Sequence, residues 1–214
     1  MNLPRDRLIT SLVDDLAPVR RRAPVASPTF AWLVLAALFV TACYLLVQPF
    51  RPGFFDQLLT APRFALETAL GITSAALLCA GGLALAVPAL GSPWRRLAPA
   101  LATLAAWFAL NLYAFAEPAL APSMLGKRPG CIWEVLLAGT PPLLVLLWLA
   151  RRRWPLHGAV SGLALGLGAG ALAATLMQLA CLYEPTHNLL FHLLPGLALG
   201  GIGMAAGARY LRAR

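Results

Sequence analysis

Six long apolar stretches alternate along the chain with short segments rich in proline, glycine and charge. A bilayer core about 30 Å thick is crossed by roughly 20 mostly apolar residues in a helix, which satisfies its backbone polar groups internally. The pattern therefore predicts an all-α fold, a polytopic transmembrane helical bundle of six spans. The predicted spans are residues 30–47, 64–87, 97–115, 132–149, 157–182 and 189–204.

Composition excludes an ordinary soluble domain. Hydrophobic residues make up 60% of the chain and charged residues 12%, whereas a soluble globular domain carries about 25% charged residues. A soluble protein of this composition would have too few polar side chains to cover its apolar surface in water. The spans divide the chain into a cytoplasmic N-terminal segment (1–29), a membrane domain (30–208) and a basic cytoplasmic tail (209–214).

The distribution of basic residues predicts the orientation. If the N-terminus is cytoplasmic, 13 of the 17 lysines and arginines fall on the cytoplasmic side. The remaining four, Arg51, Arg63, Lys127 and Arg128, fall outside. The positive-inside rule then favours both termini in the cytoplasm of a bacterium, with the chain in its inner membrane. The positive net charge is thus a topology signal, and direct binding of nucleic acid is not expected.

The fifth predicted span is rich in small residues. Such residues let neighbouring helix backbones approach closely, so this span is expected to be a tightly packed, central helix. The glycines are Gly158, Gly162, Gly166, Gly168 and Gly170.

Thiol, imidazole and carboxylate side chains are expected to meet at the outer surface, where span four begins, span five ends and span six begins. These residues are Cys131, Glu134, Cys181, Glu184, His187 and His192. Three interpretations remain open. The cysteines form a disulfide, the group binds a metal ion such as zinc or copper, or the side chains only pack and cap helix ends. Helical spacing places Cys181 and Glu184 on one face, and Asn188 is expected to cap the last span.

The N-terminal segment contains a short amphipathic pattern over residues 5–16. Its apolar stripe consists of Leu8, Ile9, Leu12, Val13 and Leu16, while Asp14 and Asp15 lie on the opposite face. A proline- and arginine-rich tether, residues 17–28, follows. The helix either lies on the membrane surface or binds a groove on a cytoplasmic protein. Acidic residues on its polar face disfavour anionic lipid and favour the protein partner.

One stretch of this segment resembles the N-terminal segment of NrsF-type membrane anti-sigma factors. It reads Leu8-Ile9-Thr10-Ser11-Leu12-Val13-Asp14-Asp15-Leu16-Ala17-Pro18-Val19-Arg20. The six spans and the positions of Cys131 and Cys181 are also similar to that family, including the light-responsive regulator CarR. The resemblance implies that the segment sequesters an extracytoplasmic-function (ECF) sigma factor, with Leu8, Leu12 and Leu16 in a groove. It also implies that the two cysteines set the receptor state.

The stimulus implied by the resemblance is a redox, metal or light and oxidative stress sensed at the periplasmic face. The alternative function is a membrane redox, haem- or metal-binding oxidoreductase subunit that uses Cys131, Cys181, His187 and His192. The sequence lacks the closely spaced cysteine pair that a thiol oxidoreductase would use. It also lacks histidines that face each other on two spans, as a bis-histidine haem would need, so an enzyme is not expected. Beyond the metal ion left open above, the sequence predicts no cofactor, and it does not determine the oligomeric state.

Overall fold

The structure is a computed structural model that describes residues 3–14, 24–86, 92–153 and 155–211. In these ranges it is all-α, with nine α-helices and one π-helical segment, residues Leu189–Leu193. The α-helices are α1 (Leu3–Asp14), α2 (Ala26–Val47), α3 (Phe54–Thr60), α4 (Pro62–Leu85), α5 (Pro93–Tyr113), α6 (Cys131–Arg151), α7 (Gly158–Ala180), α8 (Pro185–Asn188) and α9 (Leu194–Tyr210).

Among the residues that the structure describes, five helical segments are long and apolar enough to cross a membrane. They are α2, α4, α6, α7 and the continuous helical rod Pro185–Tyr210 formed by α8, the π-helical segment and α9. Each corresponds to a predicted span. The remaining predicted span, residues 97–115, coincides with α5, which has 21 residues but is less apolar because it includes Arg95, Arg96 and Asn111. A helix is therefore present at each predicted span, and five have the composition of a membrane span.

Some predicted boundaries are wrong. The segment between the first two spans was expected to be a loop, yet it contains α3, which begins after Gly53 in the left-handed conformation (φ 76°). Glycine adopts this conformation without a steric penalty, so the chain turns there and starts a new helix. The last helical rod starts at Pro185 and ends at Tyr210, beyond the predicted range at both ends. Asp15, Leu16 and most of the tether lie outside the described residues.

Helix α7 is the centre of the bundle. In its most apolar stretch of 18 residues, 83% of the residues are buried, against 22–50% in the other candidate spans. Its glycines face glycines of α9: Gly162 lies against the backbone of Gly203, and Gly170 against that of Gly196. With no side chains between them, the two backbones pack in direct van der Waals contact. The prediction that the glycine-rich span is central and tightly packed is confirmed.

Helix α2 lies at the edge of the bundle, and two of its side chains donate long-range hydrogen bonds to other helices. Trp32 Nε1 donates to the Pro142 carbonyl of α6 at 3.0 Å, and the Tyr44 hydroxyl donates to the Ala173 carbonyl of α7 at 3.0 Å. At 22 residues and 1.5 Å per residue, α2 is about 33 Å long. Its first residue, Ala26, therefore lies at the opposite end of the bundle from its last turn.

The contact between α7 and α9 can be tested by adding one methyl group. We expect Gly162→Ala to destabilise the protein by about 1–3 kcal/mol, because the new Cβ would overlap the Gly203 carbonyl in a closely packed interface. The measurement is thermal unfolding in detergent micelles. Gly201→Ala on α9 is the matched control, since a Cβ there has nothing within 4 Å. Equal melting temperatures for the two variants would contradict the packing.

Candidate functional site

Four side chains from three helix ends converge on one point. They are Cys131, Cys181, His187 and His192, and their ligand atoms all lie within 4.8 Å of one another. Cys131 opens α6 and Cys181 directly follows α7. His187 lies in α8 and His192 in the π-helical segment. We call these four residues the thiol–imidazole cluster. The structure therefore brings together four of the six residues that the sequence placed at this surface.

The two cysteines are free thiols in direct contact. Their sulfur atoms lie 3.2 Å apart. The hydrogen bond with Cys131 lowers the pKa of Cys181, which favours the thiolate. A thiolate is the form of cysteine that binds metal ions and attacks oxidants.

The π-helical segment determines how the histidines meet. In an α-helix, residues five apart point in different directions, whereas a π-turn places them on one face. His187 and His192 are five apart, and their ring centroids lie 5.1 Å from each other at an interplanar angle of 84°. His187 Nε2 also lies 3.5 Å from Cys181 Sγ, and its ring stacks on Phe191 at 4.6 Å. Two rings in edge contact leave no room for a porphyrin between them, so this geometry does not fit bis-histidine haem.

The two carboxylates of the predicted group lie elsewhere. Glu134 pairs with Arg128, whose Nη2 lies 2.8 Å from Oε2. Glu184 caps α8 by accepting hydrogen bonds from the backbone N–H groups of Thr186 and His187. Burial acts to raise the pKa of Glu184, but these N–H donors outweigh it and lower the pKa overall. Both carboxylates thus stabilise the backbone around the cluster.

Two local predictions are wrong here. Cys181 and Glu184 do not share a helical face, because α7 ends at Ala180 and Cys181 has an extended backbone. Asn188 does not cap the last helix, because Glu184 supplies that cap. Asn188 instead lies inside the helical rod and bonds to Asn111 and His192. The carboxylate of Glu184, four residues earlier, supplies the cap that was predicted for the Asn188 amide.

Arg51, which the sequence places among the outer charges, is buried beside the thiol–imidazole cluster. It is 2% exposed. Its Nη1 donates to the Cys181 carbonyl at 3.1 Å, and its backbone N–H donates to the Ala180 carbonyl at 3.2 Å. Burial lowers the pKa of Arg51, while Cys181 acts to raise it. The guanidinium therefore lies close enough to stabilise a Cys181 thiolate.

Arg128 is the second buried arginine. It is 2% exposed and joins the end of α2 to the start of α6. Its Nη1 donates to the Gln48 carbonyl at 2.9 Å and its Nη2 to the Tyr44 carbonyl at 2.6 Å. These contacts give the Gln48 carbonyl a donor and give a second donor to the Tyr44 carbonyl, which already accepts from the Gln48 N–H. A positive charge is also favourable at a helix C-terminus. Its Nε and Nη2 bind Glu134.

A repeated tripeptide could have revealed both arginines. The sequence Arg-Pro-Gly occurs at residues 51–53 and again at residues 128–130. The first copy directly precedes α3 and the second directly precedes α6. In each copy the proline and glycine form the turn that starts a helix, and the arginine points back into the bundle. Both arginines lie between spans, and hydropathy does not distinguish a buried arginine there from a solvent-exposed one.

The apolar stripe of α1 is exposed. Leu8, Ile9, Leu12 and Val13 are between 50% and 59% exposed, and Asp14 on the opposite face is exposed as well. The remaining predicted members, Asp15 and Leu16, lie outside the described residues. The structure thus presents an amphipathic helix whose described apolar side chains are open to contact.

A family model described as "Negative regulator of sigma F" (NrsF) matches residues 12–212. The chain belongs to the NrsF family of anti-sigma factors. The family is described as one of negative regulators of a sigma factor. The resemblance found in the sequence is thereby confirmed.

One curated relative is the Anti-sigma-F factor NrsF of Caulobacter vibrioides, which is 38% identical over 86 residues. The aligned region covers 38% of this chain and 39% of that relative. No solved structure matches the NrsF chain.

We expect Arg128→Gln to destabilise the NrsF chain by about 3–5 kcal/mol, because it leaves the largely buried Glu134 carboxylate without a charged partner. The two helix-end carbonyls would lose their donor as well. Thermal unfolding in detergent checks this. Lys127→Gln removes the same charge from an exposed neighbour and is expected to change stability by less than about 0.5 kcal/mol. A comparably small effect of Arg128→Gln would show that the buried ion pair is dispensable.

Proposed function

We propose that this NrsF chain sequesters an ECF sigma factor through its N-terminal segment and releases it when the thiol–imidazole cluster changes state at the periplasmic face. The observation that carries the proposal is the exposed apolar stripe of α1 in a chain that belongs to an anti-sigma family. The stimulus is a metal ion or a redox, light or oxidative stress. Metal ions and oxidants both alter thiols directly.

The proposed topology is six spans with both termini in the cytoplasm of a bacterium, and α5 is the third span. The distribution of basic residues supports it, since 13 of 17 then lie on the cytoplasmic side. The direction of α2 also supports it. Arg128 binds the last turn of α2 close to Cys131, so Ala26 at the start of α2 lies at the far end of the bundle. The cluster and the sigma-binding segment thus lie on opposite sides of the inner membrane.

The proposed sigma-binding surface consists of Leu8, Ile9, Leu12, Val13 and Leu16, with Asp14 and Asp15 on the opposite, polar face. An isolated helix of 12 residues is marginal in water, because helix nucleation is costly. Contact with a hydrophobic groove on the sigma factor stabilises the helix and buries its stripe. The acidic face disfavours the alternative contact with anionic lipid.

The cluster is proposed to act as the sensor because its state determines how two helix ends are joined. Cys131 begins α6 and Cys181 follows α7, and their sulfurs lie 3.2 Å apart. Oxidation to a disulfide, with two protons and two electrons passed to an oxidant, would link these ends covalently. Binding of zinc or copper would instead join them through a metal ion and add the two histidines.

The sigma-binding surface predicts a specific loss of partner. Leu12→Asp places a charge in the centre of the apolar stripe, so we expect at least a tenfold loss of the sigma factor that co-purifies with the full-length protein in mild detergent. Quantitative mass spectrometry measures it. Ser11→Asp adds the same charge on the polar face and is expected to retain the sigma factor. If Leu12→Asp retains as much partner as Ser11→Asp, the sigma factor binds elsewhere.

The sensor role predicts a loss of response without loss of partner. In Cys131→Ser or Cys181→Ser, we expect the sigma factor to stay bound after cells are treated with an oxidant or with a copper or zinc salt. In wild type the bound amount falls. Cys43→Ser, at a cysteine outside the cluster, is expected to respond as wild type does. Normal release from both cluster variants would remove the thiols from the mechanism.

A further inference from the structure

We propose that three amide side chains, those of Asn111, Gln178 and Asn188, make His192 a metal ligand by fixing which ring nitrogen faces the thiols. They are positioning residues, because they act on the metal through His192. The inference deepens the proposed function, since it names how the sensor cluster binds its ion. It rests on four hydrogen bonds whose directions are determined one after another.

The chain of hydrogen bonds starts at a backbone carbonyl. Asn111 lies in α5 and is buried, and its Nδ2 donates to the Trp107 carbonyl at 2.9 Å. A carbonyl only accepts hydrogen bonds, so the atom of Asn111 that faces it must be the amide nitrogen. The amide oxygen of Asn111 therefore points the other way, toward α7 and α8.

This oxygen orients the next amide. Asn111 Oδ1 accepts from Gln178 Nε2 at 2.8 Å and from Asn188 Nδ2 at 2.6 Å. Since an amide oxygen accepts two such bonds, both of its lone pairs are used. Asn188 must therefore present its nitrogen to Asn111 and its oxygen to the other side. That other side is occupied by His192.

The oxygen of Asn188 then selects the tautomer of His192. The distance from Asn188 Oδ1 to His192 Nδ1 is 2.8 Å. Because Oδ1 only accepts, Nδ1 carries the proton, and in a neutral imidazole the other nitrogen, Nε2, carries a free lone pair. His192 is 0% exposed. Its Nε2 is buried with no hydrogen-bond partner.

The unpartnered Nε2 lies in the thiol–imidazole cluster. A buried lone pair without a donor is unfavourable, and a metal ion at the cluster would satisfy it. Histidines that bind metals commonly donate their second ring N–H to a fixed acceptor, as His192 does to Asn188. Two thiolates and two imidazoles form the ligand set of a tetrahedral site for a thiophilic ion such as Zn²⁺. The amide network thus orients His192, the fourth ligand, in the metal-free protein.

The test uses reduced, full-length protein in detergent and Co²⁺ as a spectroscopic probe. Tetrahedral Co²⁺ bound to thiolates gives charge-transfer and ligand-field bands that report both affinity and ligand type. We expect wild type to show these bands and Asn188→Leu to bind Co²⁺ about 10–100-fold more weakly, as outer-shell substitutions typically do. We expect Asn188→Asp to stay within a few-fold of wild type, because its carboxylate still accepts the proton of His192 Nδ1.

Two further variants separate positioning from stability. Thr175→Val changes a buried hydroxyl of α7 that bonds only to its own helix at Ala171, so Co²⁺ affinity should not change. Gln178→Leu removes one donor to Asn111 and leaves Asn188 in place, so a loss smaller than that of Asn188→Leu is expected. This second variant keeps the test open if Asn188→Leu does not fold. The melting temperature of each metal-free variant is measured alongside.

Three results would overturn the inference. The first is that wild type gives no thiolate bands with Co²⁺. The second is that Asn188→Leu and Gln178→Leu bind Co²⁺ as tightly as wild type. The third is that Asn188→Leu and Asn188→Asp lose affinity for Co²⁺ equally. None of these measurements involves the sigma factor. A failure of the proposed anti-sigma function would appear only in co-purification of the partner, so the two failures are distinguishable.

Discussion

The close contact between α7 and α9 is the interaction on which the site depends. Glycine faces glycine where Gly162 meets Gly203 and where Gly170 meets Gly196, so the two backbones touch. In lipid, where helices gain nothing by hiding apolar surface from each other, such van der Waals packing provides much of the association. It also brings the end of α7, with Cys181, next to the start of the helical rod that carries His192. A bulkier residue in the contact would separate the thiol from the imidazole.

Around this pair, buried charges join the remaining helix ends to the cluster. Arg128 connects the last turn of α2 to the first turn of α6, and Arg51 reaches the carbonyl of Cys181. Burial of an arginine is unfavourable unless its donors are used. Arg128 bonds through Nε, Nη1 and Nη2 and so holds the surrounding backbone in place, whereas Nε and Nη2 of Arg51 have no hydrogen-bond partner among the described residues. A change of charge at Cys181, through oxidation or metal binding, would therefore change the electrostatic interaction of Cys181 with the Arg51 guanidinium. The cluster thus contacts the turn before α3 through Arg51 and begins α6 with Cys131.

The buried amides of the bundle satisfy one another's hydrogen bonds and also orient a histidine of the cluster. The hydrogen bonds from Asn111 to Asn188 and on to His192 have directions set by a single backbone carbonyl. The π-helical segment then turns His192 to the same side as His187. Irregular helix geometry of this kind often occurs at functional positions. Here it brings to one point two residues that a regular helix would keep apart.

Sequence alone determined the all-α class, the positions of the six helices, the family and the meeting of two cysteines with two histidines. These follow from hydropathy, from short motifs and from span ends that must share one depth. Only the tertiary structure decided that Glu134 and Glu184 bond to Arg128 and to the α8 backbone, and that Asn188 orients His192. The physical reason is that hydropathy gives depth along one axis, whereas a hydrogen-bond partner depends on rotation about each helix. That rotation is set by side-chain packing between helices distant in sequence.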